Sequence, residues 1–179
     1  MTGYQMAILC LIGCKAGDKY RVQSVDRWYA DAVADLFPAS RPFRQRQTDK
    51  QDTWRIASST VDYSAVSLSA VTDWIGFCRG VIELQGVVDL WPHRTRRGVP
   101  IRTLRMRVYG QPDLLQAVME HLPAPPKKIQ DVRTNSGCTY AIMYQSPREV
   151  LDILDTIYGT PANEALWAKW RTLIQGGDD

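Results

Sequence analysis

The sequence has almost no surplus of charge: 22 Lys and Arg against 19 Asp and Glu leave +3 over 179 residues. That balance is too weak to point to nucleic acid by itself, so any case for such a partner rests on where the bases sit. Histidine is scarce. His93 belongs to a loop and His121 to a helix end, which excludes a shared imidazole site. A charged ring at that helix end favours the dipole by about 0.3–1 kcal/mol. The four cysteines, Cys10, Cys14, Cys78 and Cys138, form no CxxC pair, which argues against a zinc ribbon and points to free, partly buried thiols in a reducing, cytoplasmic setting. Cys10 and Cys14 stand one helical turn apart, yet two cysteines alone do not make a metal site. Long apolar runs are missing too. Residues 6–12 are too few to span a membrane and lack the basic flank and cleavage site of a signal peptide, so no membrane partner is expected. What is present, 45% hydrophobic and 23% charged residues, is globular composition with length for one core or two small fused halves.

Self-similarity organises the rest. Ala7-Ile8-Leu9-Cys10-Leu11-Ile12-Gly13 aligns with Gly80-Val81-Ile82-Glu83-Leu84-Gln85-Gly86. Ala32-Val33-Ala34-Asp35-Leu36-Phe37-Pro38-Ala39 aligns with Ala117-Val118-Met119-Glu120-His121-Leu122-Pro123-Ala124, and Thr53-Trp54-Arg55-Ile56 with Thr139-Tyr140-Ala141-Ile142. Gly80 lies 73 residues after Ala7, Ala117 85 after Ala32, and Thr139 86 after Thr53. Copy two therefore carries 12 more residues (85 less 73) between its first two anchors, around the polar segment Pro92-His93-Arg94-Thr95-Arg96-Arg97-Gly98. Length change confined to one loop is what a duplication leaves behind, because loops accept insertion at little cost. Two repeats follow, residues 1–71 and 72–179, fused into one pseudo-symmetric unit.

Each copy opens with a helix, residues 3–13 and 72–85, ended by a glycine suited to a left-handed cap. A hairpin follows, short around Ala16-Gly17-Asp18 and long in copy two. Next come a helix stopped by proline (26–37; 111–122), a second hairpin, and a third helix (63–70; 147–158), with a terminal helix over 162–174. The fold class is α+β: αββαββα twice, with two antiparallel sheets. In one strand Leu104, Met106 and Val108 alternate with Thr103, Arg105, Arg107 and Tyr109; in its counterpart Tyr20 and Val22 alternate with Lys19, Arg21 and Gln23. One apolar and one basic face per strand mark sheets packed on a single side. Trp54 follows the core parity of its strand, and Trp74, Trp167 and Trp170 fall on helices as packing residues.

The stretch Phe77-Cys78-Arg79-Gly80-Val81-Ile82-Glu83-Leu84-Gln85-Gly86, followed by Val87-Val88, resembles the motif of single-chain, two-repeat LAGLIDADG homing endonucleases. The closing stretch, with Ile157-Tyr158, Ala165-Leu166-Trp167 and Lys169, is similar to the end of many members. The resemblance implies two motif helices packed along a pseudo-twofold axis and two sheets shaped into a saddle for the DNA major groove. Ala7 and Gly80 take the small-residue positions of that helix interface, with Gly13, Gly86 and Glu83 at its foot. In the family an acid before the last motif glycine holds the divalent ion that cleaves each strand. Here those positions hold Ile12 and Gln85. Isoleucine offers no ligand and an amide is a weak one for a hard cation. Glu83 sits two residues earlier, roughly 200° around the helix; Asp18 and Asp89 are the nearest other acids.

On a retained saddle, the open face carries Arg21, Gln23, Arg44, Arg46 and Arg55 from copy one and Arg105, Arg107, Lys127, Lys128 and Arg133 from copy two. The long hairpin adds His93, Arg94, Arg96 and Arg97. Arginine and lysine suit phosphates and guanine edges, and glutamine suits adenine. Acids gather instead on helices and turns (Asp26, Asp31, Asp35, Glu120, Glu149, Asp152, Asp155). Against strong binding stand the short first hairpin and the neutral outward set Thr139, Ala141 and Met143. The resulting expectation is a monomeric, non-cleaving binder of double-stranded DNA with a regulatory, splicing-helper or relic role and no cofactor. The alternatives are a Mg²⁺-dependent endonuclease with displaced acids and a protein-interaction module; structured RNA or a protein is the other partner class.

Overall fold

The computed structural model describes residues 1–38, 40–46, 51–58, 61–62, 65–94, 100–134, 137–159 and 164–175, with the backbone alone for residues 93, 94, 100, 101, 134, 137, 138, 164, 165 and 175. The chain forms two compact units, Met1–Gly80 and Val81–Asp179.

The first unit begins with helix α1 (Gly3–Ile12), whose start is written locally: Thr2 Oγ1 accepts from Gln5 N and Gln5 Oε1 accepts from Thr2 N, a reciprocal capping box. Strands β1 (Gly13–Ala16) and β2 (Lys19–Ser24) follow. The tight turn between them needs Gly17 at φ 66°, the left-handed region that glycine enters without strain. Helix α2 (Arg27–Ala32), capped by Asp26, runs into a 3₁₀ turn, Ala34–Leu36. Strands β3 (Phe43–Gln45) and β4 (Thr53–Ser58) complete an antiparallel sheet of order β1-β2-β4-β3. Tyr20, Val22 and Ile56 lie on one face and are almost wholly buried, together with Tyr29, Ala30 and Val33 of the α2 region. Residues 63 and 64 of the expected third helix lie outside the described residues, and the remainder of that stretch holds 3₁₀ structure, including the turn Leu68–Ala70, in place of an α-helix. Ala70 N and Val71 N donate to the Ser67 and Leu68 carbonyls there, and the Ser67 and Ser69 hydroxyls bond each other (3.0 Å).

Helix α3 (Trp74–Gln85) crosses from the first unit to the second. Its start is tied to that of α1 by one carboxylate. Asp73 Oδ1 accepts from Gly76 N and Oδ2 from Gly3 N, each at 2.9 Å. Asp73 therefore satisfies one otherwise orphaned donor in each helix. Asp73→Ala is expected to lower stability by about 1–2 kcal/mol in urea titration, with Asp73→Asn recovering part of it; an unchanged midpoint would show that the shared cap carries nothing.

The second unit pairs strands β5 (Gly86–Arg94) and β6 (Pro100–Gly110) in a long hairpin, then adds β8 (Gly137–Tyr144) and edge strand β7 (Gln130–Thr134) in the order β5-β6-β8-β7. Helices α4 (Pro112–His121) and α5 (Pro147–Ile157) each start with proline at the first turn, where its missing N–H costs nothing. They bury Leu115, Val118, Ile153 and Leu154 with Met106, Val108 and Ile142 of the sheet. Helix α6 (Glu164–Gln175) closes the unit. Two antiparallel four-stranded sheets, each with helices, make the fold α+β.

The glycines ending the two motif helices differ from expectation. Gly13 is extended (φ −81°, ψ 147°), and among the described residues only Gly17 has a positive φ. Glycine is needed at both ends for close approach instead. A Cβ on Gly13 would stand 2.3 Å from Leu9 O and 2.0 Å from the Tyr20 hydroxyl, and one on Gly86 2.2 Å from Ile82 O. Helix passes to strand with no intervening loop, so each glycine sits against the helix carbonyl four residues back.

Candidate nucleic-acid interface

Each sheet has one face under helices and one open face, and cross-strand register assigns residues to them. In the first sheet, Arg21 stands opposite Cys14 and Ala57, Gln23 opposite Arg55, and Phe43 opposite Arg55. Directly opposed residues share a face. The open face therefore gathers Lys19, Arg21, Gln23, Phe43, Gln45 and Arg55, and its strand residues include no carboxylate. Neutral groups hold these side chains. Arg21 Nε donates to Cys14 Sγ (2.9 Å), Gln23 Nε2 to Thr53 Oγ1 (2.9 Å), and Arg55 Nη1 to Gln45 Oε1 (3.3 Å). Arg55 Nε is buried without a hydrogen-bond partner. Among the described strand residues no carboxylate cancels their positive charge on that face.

Arg44 does not belong to this set. It pairs across the ladder with Trp54, on the helix-facing parity, and its guanidinium meets Asp52 at 2.8 Å. The residue on the open face is its neighbour Gln45, and Arg46 is exposed just beyond the strand. A three-residue strand carries too little periodicity to show its own parity.

The second sheet is organised differently. Its open face holds Val87 with Arg107 and Met143, Asp89 with Arg105, and Trp91 with Thr103. Arg105 donates to both Asp89 oxygens (Nε–Oδ1 2.9 Å, Nη2–Oδ2 2.7 Å), and Arg107 Nη2 donates to Oδ2 at 2.9 Å. Arg105 is 5% exposed, and its Cζ lies 3.9 Å from the centroid of the Trp91 ring. The hydrogen bonds from Arg105 hold the Asp89 carboxyl below the usual aspartate range, burial opposes this, and the charges of Arg105 and Arg107 add to it. Arg105, expected as a contact residue, is consequently an internal ion-pair partner, and Arg107 shares the same acid.

Two more expected contacts fall on the other side. Lys127 Nζ pairs with Glu149 of α5 (2.8 Å) and lies 5.4 Å from the Tyr144 ring, within the helix layer. Arg133 opposes Cys138, on the parity of Ile142. Lys128 is exposed ahead of β7. His93 and Arg94 lie on β5, with only their backbone described, and Arg96 and Arg97 lie outside the described residues. His121 Nδ1 is 2.8 Å from the Ala117 carbonyl of its own helix.

At the helix feet, Ile12 and Gln85 are the half-buried last residues of α1 and α3. A hydrocarbon and a neutral amide do not suit a hard divalent cation. The other acids are engaged or distant: Glu83 is buried and accepts from the Tyr158 hydroxyl (2.9 Å), Asp89 is shared by two arginines, and Asp18 is exposed at the β1–β2 turn. Tyr158 is itself stacked on Trp167 (centroids 4.5 Å apart, 12° between planes) and edge-on to Trp170 (6.0 Å). Ala7 is fully buried, and Gly80 approaches it so closely that a Cβ would be 2.6 Å from that of Ala7. Cys10, Cys14 and Cys78 form no disulfide among the described residues; burial pushes Cys10 up, and burial with nearby Asp73 pushes Cys78 up to about 12.

The fold is that of LAGLIDADG proteins. The meganuclease I-AabMI, solved bound to uncleaved DNA, superposes with TM-score 0.68 over 99% of this chain and 91% of its own, at 8% identity. The homing endonuclease I-SmaMI, bound to cleaved DNA, gives 0.64 over 98% and 89% at 7% identity. The N-terminal LAGLIDADG domain of DUF199/WhiA gives 0.50 over 91% and 84% at 8% identity. No protein-family model and no curated protein matches the sequence.

Proposed function

We propose that this chain binds double-stranded DNA without cutting it, as a regulator, a splicing helper or the relic of a nuclease. The observation that carries this reading is the open face of the first sheet. There Lys19, Arg21 and Arg55, interleaved with Gln23, Gln45 and exposed Phe43, stand with no opposing carboxylate in its strands. Uncancelled cations meet phosphate, amides read adenine edges, and an aromatic can touch a thymine methyl. The similar solved structures I-AabMI and I-SmaMI hold DNA, which supports the same ligand class. Ile12 and Gln85 support binding without metal-assisted hydrolysis, and in this reading the two repeats in one chain act as a monomer. Among the described residues no helix is long and apolar enough to cross a membrane.

A gel-shift salt series tests this. Retardation must strengthen as salt falls, and Arg21→Ala with Arg55→Ala is expected to lower the slope of log affinity against log salt by about one per residue. Metal-dependent cuts in plasmid DNA under Mg²⁺ or Mn²⁺ would overturn the non-cleaving part. One feature favours a second reading, a protein-interaction module: the neutral, half-buried set Val132, Thr139 and Met143 around buried Ala141, on the open-face parity of the second sheet. No retardation of any duplex at low salt would select it.

A further inference from the structure

The open face of the second sheet has chemistry that phosphate binding does not use. A cavity of about 350 Å³ opens there, lined by Trp91, Thr103, Arg105 and Gln145. Trp91 is 48% exposed although the Arg105 guanidinium lies 3.9 Å from its ring centroid. The indole is therefore pinned from one side and offered to solvent on the rest of its surface. The guanidinium end of that pin is fixed, since Arg105 is held by two hydrogen bonds to Asp89. Such a clamp removes the ring motion that stacking would otherwise have to freeze. Thr103 stands directly across from Trp91 and supplies a hydroxyl that can donate or accept. Gln145 Nε2 donates weakly to Met143 Sδ (3.0 Å), which leaves its carbonyl oxygen available to accept.

This set suits a planar, neutral heterocycle with donors and acceptors on its edge. It does not suit a phosphate, because the Arg105 cation is already neutralised by Asp89. Bases inside a duplex keep their faces against one another and cannot present them to an indole. Only an unpaired base can, and aromatic platforms with polar edge readers are how such bases are held. We propose that this cavity receives one unpaired nucleobase, stacked on Trp91 and bound along its edge by Thr103 and Gln145. The ligand differs from that proposed for the first sheet, and the site does not depend on duplex binding there.

Fluorescence anisotropy with the full chain tests it, using a paired duplex, the same duplex with a single unpaired adenine, and its single strand. The wild type is expected to favour the two probes with unpaired bases. Trp91→Ala is expected to weaken binding to those probes about tenfold, the size of one lost stack, while affinity for the paired duplex changes little. Trp91→Phe, which keeps a ring over Arg105, is expected to retain most of the affinity, so a loss in both variants with intact duplex binding also overturns the stacking role. Equal losses on paired and unpaired probes, or no loss on either, overturn the proposal. Single-strand binding that needs Trp91, with no duplex binding at all, would sink the duplex reading and leave this one standing. A chain that binds none of the probes sinks both.

Discussion

Replacing Gly80 by leucine is expected to destabilise the first unit strongly. Gly80 sits in α3 with Ala7 of α1 against it. Even a bare Cβ there would come within 2.6 Å of the Ala7 Cβ and 3.2 Å of the Tyr4 carbonyl oxygen. Ala7 is fully buried, and Tyr4 is covered by the Arg79 guanidinium 4.7 Å from its ring centroid, so neither neighbour has free space to move into. Two effects compete for alanine at this position. Helix propensity favours it over glycine by about 0.8–1 kcal/mol, whereas overpacking a close contact costs about 1–3 kcal/mol. Gly80→Ala should therefore be net destabilising by a small margin, and Gly80→Leu by about 3 kcal/mol or more. That is a large share of the total for a domain this size. Ala7→Gly in the Gly80→Ala background removes the clashing atom and should return most of the loss. Urea unfolding followed by tryptophan fluorescence measures all three; a Gly80→Ala variant more stable than the wild type would show that the helices do not approach this closely.

That contact is legible in the sequence, because small residues at matched positions of two similar apolar segments have few other uses. So are most helices and both sheets, since each strand long enough to alternate twice shows its own parity. The losses share a cause. Residues 63–70 carry serine and valine without a clear period, and the described part forms a 3₁₀ turn. Arg44 was misplaced because β3 is three residues long. Gly13 and Gly86 have a recognisable type but an unreadable reason: a sequence shows that glycine stands after a helix, not whether a positive φ or a passing carbonyl requires it.

Arg105 is the instructive case. It lies on the open face with Arg107, the face that strand alternation assigns it. What one strand cannot show is its partner's register. Asp89 alternates with Val88 and Leu90 and so shares the face, but only the pairing Asp89↔Arg105 puts the acid under the base. The basic character of that face is thereby partly offset from within, one carboxylate against two guanidiniums, and the two sheets, alike in strand order, differ in surface: cationic on the first, aromatic with a buried ion pair on the second. Lys127 was lost similarly, to Glu149 on a helix that strand parity does not see.

The same ion pair yields the second large effect. Asp89→Ala leaves Arg105, whose side chain is 6% exposed, without a counter-charge in a place water hardly reaches. Breaking a buried pair by removing one partner costs about 3–5 kcal/mol. Asp89 is itself 31% exposed, so solvent softens the loss, and about 2–3 kcal/mol is the expected result. Asp89→Leu combined with Arg105→Met should recover much of it, because an apolar pair of similar volume has no charge to strand. The effect has a pH signature. Asp89 is held below the ordinary aspartate range, near 3.9. Its contribution is therefore full above that range and is lost as pH falls through the lower folded value, where the unfolded chain has already taken up its proton. In acid the gap between the urea midpoints of wild type and Asp89→Ala should narrow, whereas above about pH 5 it should be constant. A gap independent of pH, or none at neutral pH, would mean that Asp89 does not hold the arginines. The variant also links stability to binding: with Asp89 gone, Arg107 is released to the open face, and the salt slope for duplex DNA should steepen by about one.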